Sequence, residues 1–281
     1  MSTALPPPAV PETASILPPE EWPCVDHLVT EDDTPVDNIY SAKQQDLLKD
    51  PLDSSWLGPD GDRLFLVLAN VAIYYATRTP PLIPDVFLSL GVKAPDDLWT
   101  KRNRSYLIWE YGKAPEVVIE IVSSLLGQEG SRKLQLYAQI GILYYVIWDP
   151  LNLLQGGRLR ILVLREKVYV PLEAPWLPLV GLGLKIWHGT YKESADDWLR
   201  WCDREGQVIP TGAERAEKER QRADEERRRA DEERQRANQA LQRADRERQR
   251  ADQKQQHAEK LAAQLRALGV EPEANQTERG S

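Results

Sequence analysis

The sequence predicts an α/β fold, a mixed β-sheet flanked by helices, followed by one long charged α-helix. Three observations predict it. Short apolar runs recur between residues 64 and 148, a helical pattern separates the last two, and from residue 213 the composition turns to Ala, Arg, Glu and Gln.

Along the chain, Pro6, Pro7, Pro8, Pro11, Pro18 and Pro19 exclude a regular element from residues 1–22. That segment opens a disordered Pro-rich, acidic arm taken to residue 30. Ser41–Asp50 reads as a short helix, with Ser41 as N-cap and Pro51 as its stop. Strands follow at Leu64–Leu68, Val71–Tyr75, Asp85–Leu90, Val117–Val122 and Leu143–Trp148. Several are continuous apolar runs, the pattern of a sheet covered on both faces. Between the last two, Leu134, Tyr137 and Ile140 recur at helical spacing within Ser131–Ile140, and Gly141 is a C-cap candidate. Strand, helix, strand is the βαβ signature. Leu159–Leu164 and Leu184–Trp187 are shorter strand candidates, and Leu199–Cys202 with Gln207–Ile209 reads as a hairpin. Residues 171–183 are too rich in Pro and Gly for a central strand and read as a loop.

From residue 213 alanines fall at 216, 223, 230, 237, 244, 251 and 258, a seven-residue period. Charge pairs such as Asp224–Arg228 and Glu225–Arg229 support a helix. The second core position of a coiled coil is mostly charged (Glu219, Glu226, Glu233, Glu247), and the seam gains leucines only at Leu261, Leu265 and Leu268. Three readings stay open for residues 213–268: a solvated self-supporting helix, a homodimer zipped by the distal leucines, or an arm for a protein or DNA partner.

Charge is unevenly divided. The net charge is −8. Residues 1–60 hold 2 basic and 12 acidic side chains, whereas residues 61–212 and 213–281 each hold 17 basic and 16 acidic ones. No global basic field favours tight non-specific DNA binding. The longest nearly apolar run, Leu64–Ala76, is short of the ~18 residues of a membrane span. The first residues lack the basic and apolar regions of a signal peptide. Cys24 and Cys202 lie far apart in no motif, which suits a reducing compartment. A cytoplasmic location with no membrane association is the expectation.

The common catalytic motifs are missing: no G-x-S-x-G, no P-loop, no H-E-x-x-H. His27, His188 and His257 are scattered, against a zinc site or a triad. Carboxylates within apolar runs are more informative. Asp85 follows Pro84 and opens VFLSL, and Glu120 lies in the middle of VVIEIVS. A buried ionised carboxylate must be paired, protonated or bound to a cation. Two of them on neighbouring strands offer the hard oxygen ligands that Mg²⁺ (or Mn²⁺) uses while keeping several waters. Lys133, at the start of the following helix, could reach back and stabilise the charge of a phosphoryl-transfer transition state. Bland readings stand beside each residue. Asp85 could cap the turn after Pro84, Glu120 could salt-bridge Lys133 or a core arginine, and Lys133 could pair with Glu129. Lys101–Arg104 could contact phosphates or be a solvated loop. Tyr106, Trp109 and Tyr111 read as core before stacking surface.

The segments PDVFLSLGV, RNRSYLIWEYGKAPEVVIEIVS and RKLQLYAQIGILYYVIWDP resemble the Uma-two family, within the PD-(D/E)XK restriction-endonuclease-like superfamily. The resemblance covers residues 31 to about 209. It implies a mixed sheet of four or five strands flanked by helices and Mg²⁺-dependent hydrolysis of phosphodiester bonds in nucleic acid. Asp85 then matches the motif aspartate and Glu120 the D/E position, both as metal ligands. The usual lysine position is Val122 here, so the resemblance implies that Lys133 supplies the ammonium. Asp46 is a poorly matching candidate for a further acid from an early helix. The expected organisation is an arm to residue 30, a restriction-endonuclease-like domain over 31–212, a long helix or coiled coil over 213–268, and a flexible tail over 269–281. A different class of function is a non-catalytic scaffold that keeps the nuclease fold and acts through its long helix.

Overall fold

Continuous apolar runs build a central sheet whose inner strands are buried on both faces. In a computed structural model, residues 18, 23–24, 38–123 and 132–267 are described. Most of the N-terminal arm, the 269–281 tail, Ser131, Leu268 and the Glu129 partner proposed for Lys133 lie outside them. Helix α1 (Ile39–Ser55) comes first, then strands β1 (Phe65–Ala69), β2 (Ile73–Tyr74), β3 (Val86–Leu90) and β4 (Tyr106–Leu107). The single turn α2 (Ile108–Tyr111), β5 (Val117–Ile121), α3 (Arg132–Ile140) and β6 (Tyr144–Trp148) follow. Next come β7 (Leu159–Arg165), β8 (Val168–Pro171), β9 (Trp176–Leu177), β10 (Leu182–Tyr191) and β11 (Ser194–Cys202). Helix α4 (Gly212–Ala267) ends the described chain.

The main sheet has six strands, one more than the upper expectation, in the order β1-β3-β5-β6-β7-β8. Within this sheet only β5 and β6 are parallel, and α3 links them, so the predicted βαβ unit is present. Period-2 alternation splits the side chains. Val117, Ile119 and Ile121 face a core shared with Leu48, Leu52 and Trp201, whereas Val118 and Val122 face one shared with Tyr137 and Tyr145. The first core is closed by α1 and by the three-stranded sheet β11-β10-β9. Gln44 of α1 makes this docking specific. Its amide donates to the Leu199 carbonyl at 2.8 Å and its carbonyl accepts from the Leu199 N–H at 2.8 Å.

Several sequence expectations are corrected. Asn38, not Ser41, caps α1, accepting from the Ser41 N–H at 3.0 Å. Pro51 lies inside the helix instead of stopping it, because the buried face of Leu47, Leu48 and Leu52 continues through it. Asp85 stands one residue before β3. The 171–183 loop contains the two-residue strand β9. Leu199–Cys202 is the end of β11, which pairs with β10 over nine positions, and Gln207–Ile209 also returns along it, through the Cys202–Val208 bridge and the bonds from the Asp203 N–H to the Gln207 carbonyl and from the Ile209 N–H to the Trp201 carbonyl, each at 2.9 Å. No disulfide joins exposed Cys24 to buried Cys202.

The chain divides into two compact units after Arg215. The second is helical to Ala267 and exposed along almost its whole length. Helix α4 is 56 residues long, or about 84 Å at 1.5 Å per residue. The predicted Glu225–Arg229 pair forms at 3.9 Å, whereas Arg228 turns to Glu232. Among the described residues no helix is long and apolar enough to cross a membrane.

Candidate active site

Three elements converge where β3 begins and β5 ends. Glu120 sits in β5 on the face covered by α3 and is 1% exposed. Lys133 and Tyr137, four residues apart, share one face of α3. The Lys133 ammonium donates to Glu120 Oε2 at 2.9 Å, and the Tyr137 hydroxyl donates to Oε1 at 2.7 Å. One helical turn thus supplies a donor to each oxygen of the buried carboxylate. The Lys133 contact is also the salt bridge that Glu120 alone would call for in a buried strand.

Asp85 adds the second carboxylate. Its Oδ2 accepts from the Ile121 N–H at 2.6 Å and its Oδ1 from the Gln45 side-chain amide at 3.0 Å. Both partners are remote in sequence, which the turn-cap reading does not account for. The β3–β5 register pairs Val86 with Ile119. Continued one step, it sets Asp85 opposite Glu120, a position at which cross-strand Cβ atoms lie about 4.5–5.5 Å apart. The Tyr137 hydroxyl registers both acids. Burial raises its pKa well above the ordinary value, and the charges of Glu120 and then Asp85 raise it further. Tyr137 therefore stays protonated at neutral pH and acts as a donor.

Gln45 and Asn70 complete the cluster, and the sequence reading had singled out neither for the site. Asn70 follows β1 with φ +54°, a left-handed conformation that Asn tolerates. Its amide donates to Gln45 Oε1 at 2.9 Å, leaving the Gln45 amide aimed at Asp85. Asp46, the acid considered for this helix, points elsewhere. It is 55% exposed and pairs with Lys192 at 2.7 Å. Val122, at the usual lysine position, is 2% exposed and belongs to the apolar cluster under α3.

The remaining candidates lie apart from this cluster. Lys101–Arg104 forms a short 3₁₀ turn in which Arg102 pairs with Glu110 at 3.5 Å. Tyr106 is core, 1% exposed, with half-buried Tyr111 stacked on it at 4.3 Å. His188 is exposed and bonded to Asp197 at 2.9 Å, and His257 is exposed on α4.

A model of the family called Uma2, described as "Putative restriction endonuclease", matches residues 33–186, more than half of the chain. The chain belongs to the Uma2 family. The Uma2 match contains Gln45, Asp85, Glu120, Lys133 and Tyr137, and it ends within β10, before β11 and α4. A search of curated proteins found no match.

The donor set can be weighed against a metal. Among the described residues no group of three or more His, Cys, Asp or Glu is placed to hold an ion. Zinc and calcium sites built from protein ligands alone need more. Mg²⁺ commonly takes one or two carboxylates and fills its octahedron with water and substrate oxygen. A carboxylate has about four lone-pair directions, so two hydrogen bonds and coordination are compatible. Asp85 and Glu120 fit that ion.

Proposed function

We propose that this Uma2 protein is a metal-dependent endonuclease that hydrolyses phosphodiester bonds of nucleic acid. The observation that carries the reading is the buried Glu120 carboxylate, held between the Lys133 ammonium and the Tyr137 hydroxyl, with Asp85 anchored on the next peptide N–H. Asp85 and Glu120 would hold Mg²⁺ or Mn²⁺. When bound, such an ion lowers the pKa of a coordinated water and polarises the phosphate. The chain's own groups do the rest. Lys133 presents a fixed positive charge to the oxygens that gain charge as the scissile bond breaks. Tyr137 and Gln45 orient the two carboxylates, so little reorganisation accompanies the reaction.

Plasmid cleavage in Mn²⁺ tests this. Wild type should nick and linearise DNA, and Lys133→Ala should be slower by about a hundredfold or more, the usual weight of one charge-stabilising donor. Equal rates would remove Lys133 from the mechanism. A second reading, a nuclease-fold scaffold acting through its helix, draws on the long solvated α4 and on Val122. Melting separates the two. An ion at a hundred times its Kd stabilises by about 2.7 kcal/mol, and Glu120→Ala should abolish that response. Wild-type melting that ignores both metals would favour the scaffold.

A further inference from the structure

Helix α4 carries a pattern that a solvated helix does not need. Its alanines from Ala216 to Ala258 keep a strict seven-residue period. A straight α-helix drifts about 20° per heptad against such a repeat, or about 120° over the six intervals, so these alanines form one seam only where the helix supercoils around a partner. The three leucines of the described helix keep to the same stripe. Leu241 lies four residues after Ala237, Leu261 three after Ala258, and Leu265 seven after Ala258. They are 63%, 45% and 37% exposed, and no residue of α4 is buried.

The charges beside the stripe say what covers it. At about 100° per residue, the third residue after each alanine lies about 60° to one side of the seam and the fourth about 40° to the other. One flank therefore carries Glu219, Glu226, Glu233 and Glu247, and the other carries Arg220, Arg227, Arg234 and Arg248. Ion pairs within the helix, at 3.8–3.9 Å, take Glu217, Glu225 and Glu232. Among the described residues the four flank acids have no such pair. A two-fold axis along the seam sets the acidic flank of one copy against the basic flank of the other, with paired residues only about 1.5 Å apart in height. An antiparallel pair would set acid against acid and arginine against arginine. Size follows the same rule as charge. Where the flanks lose their charges they become apolar together, so that Ala240 meets the Leu241 of a second copy and Leu261 meets its Ala262, small against large.

We propose that the alanine–leucine stripe of α4 docks the same stripe of a second copy of this chain, as a parallel, in-register coiled coil. The alanines let the two backbones approach, the flank charges select a parallel copy, and the layers at Leu241, Leu261 and Leu265 supply the apolar contact. A parallel register brings each leucine to the same level as its own counterpart, whereas an antiparallel one would set Leu261 and Leu265 against the charged first turns. The proposal stands apart from the nuclease reading, since it draws on no residue of the candidate active site.

The test uses the full chain. Sedimentation equilibrium of wild type should show the mass rising with concentration toward twice 32.0 kDa. One variant replaces Glu219, Glu226, Glu233 and Glu247 with Arg, and a second replaces Arg220, Arg227, Arg234 and Arg248 with Glu. Each sets like charges against each other and should weaken self-association about a hundredfold. An equimolar mixture of the two should restore the dimer, because every flank again meets its opposite. Orientation is read with Ala223→Cys in a Cys24→Ser background, where mild oxidation should give a disulfide-linked dimer. An antiparallel pair would hold the two thiols far apart along the helices. A wild type that keeps the monomer mass at every concentration overturns the proposal. So does a dimer of unchanged affinity in both charge variants or in a chain ending at residue 216. A mass that rises only when DNA or another protein is added overturns it as well and gives the stripe to that occupant. If a charge variant loses its helix by circular dichroism, failure of the Ala223→Cys chain to cross-link is enough to refute the parallel pair.

Discussion

Tyr137→Phe isolates the best-defined hydrogen bond of the site. The substitution deletes the hydroxyl 2.7 Å from Glu120 Oε1 and keeps the ring that packs against Tyr145 at 5.2 Å. Hydrogen bonds to charged groups contribute about 1.5–3 kcal/mol. Glu120 is 1% exposed, so water does not replace the lost donor, and the expected loss is about 2–3 kcal/mol. For a folded unit of about 150–250 residues each kcal/mol moves Tm by about 2–4 °C, which gives a fall of about 4–12 °C. The assay is calorimetry or urea unfolding in EDTA. Because burial keeps the Tyr137 hydroxyl protonated, the loss should be the same at pH 6 and pH 8. A double-mutant cycle sharpens it. In a Glu120→Gln background the hydroxyl faces a neutral amide, and its removal should cost only about 1 kcal/mol. A loss below about 0.5 kcal/mol, or equal losses in both backgrounds, would refute the claim that Tyr137 holds a charged Glu120.

Two further predictions concern the start of α4. Arg200, with a side chain 3% exposed, forks onto Glu214 at 2.7 and 2.6 Å, bonds the Ile209 carbonyl and lies over Trp187. The Arg200 hydrogen bonds, more than any other influence, hold the Glu214 pKa below its ordinary 4.5. Stability from this pair is therefore fully present above about 4.5 and is lost as pH falls through the lowered folded value. Urea unfolding from about pH 6 to about pH 3 should show that decline, and Arg200→Met should flatten this part of it; parallel curves would contradict the linkage. A chain ending at residue 216 should melt like the full-length protein. One ending at residue 212 loses Glu214, leaves Arg200 without its carboxylate and should be less stable by about 3 kcal/mol. Equal melting of the two truncations would show that the pair does not hold the first unit together.

Much of the fold is legible because strand signals are local. Continuous apolar runs give β1, β3, β5 and β6 within a residue or two, and the spacing of Leu134, Tyr137 and Ile140 gives α3. What escapes detection is turn chemistry. The β7–β8 and β10–β11 hairpins turn at Glu166-Lys167 and Lys192-Glu193, with both residues of each pair at positive φ. Such primed turns usually carry Asn or Gly, so charged pairs in their place leave no mark. Nothing in the sequence pattern marks β8, and β10 and β11 run beyond the apolar stretches Leu184–Trp187 and Leu199–Cys202. Pro51 misleads for a related reason. A proline inside a helix is unfavourable by about 3 kcal/mol, yet burial of Leu47, Leu48 and Leu52 on one face of α1 outweighs it.

The site divides along the same line. A strand carries its side chains alternately up and down, so a carboxylate in VVIEIVS has only two faces to choose from, and its apolar neighbours require a partner on either. That makes Glu120 readable and, with it, a cation such as Lys133. A helix turns about 100° per residue, so neighbouring positions differ by more than a quarter turn. In QQD the acid is the conspicuous residue, but phase decides. Gln44 and Gln45 fall on the face that also buries Leu48, and Asp46 falls on the solvent side with Lys192. The helix therefore delivers an amide to Asp85 instead of a carboxylate. An amide donor orients Asp85 without adding negative charge beside Glu120, so the like-charge repulsion of a third acid is avoided. In the proposed nuclease, that arrangement would suit an ion taking two carboxylates and otherwise water and substrate oxygen.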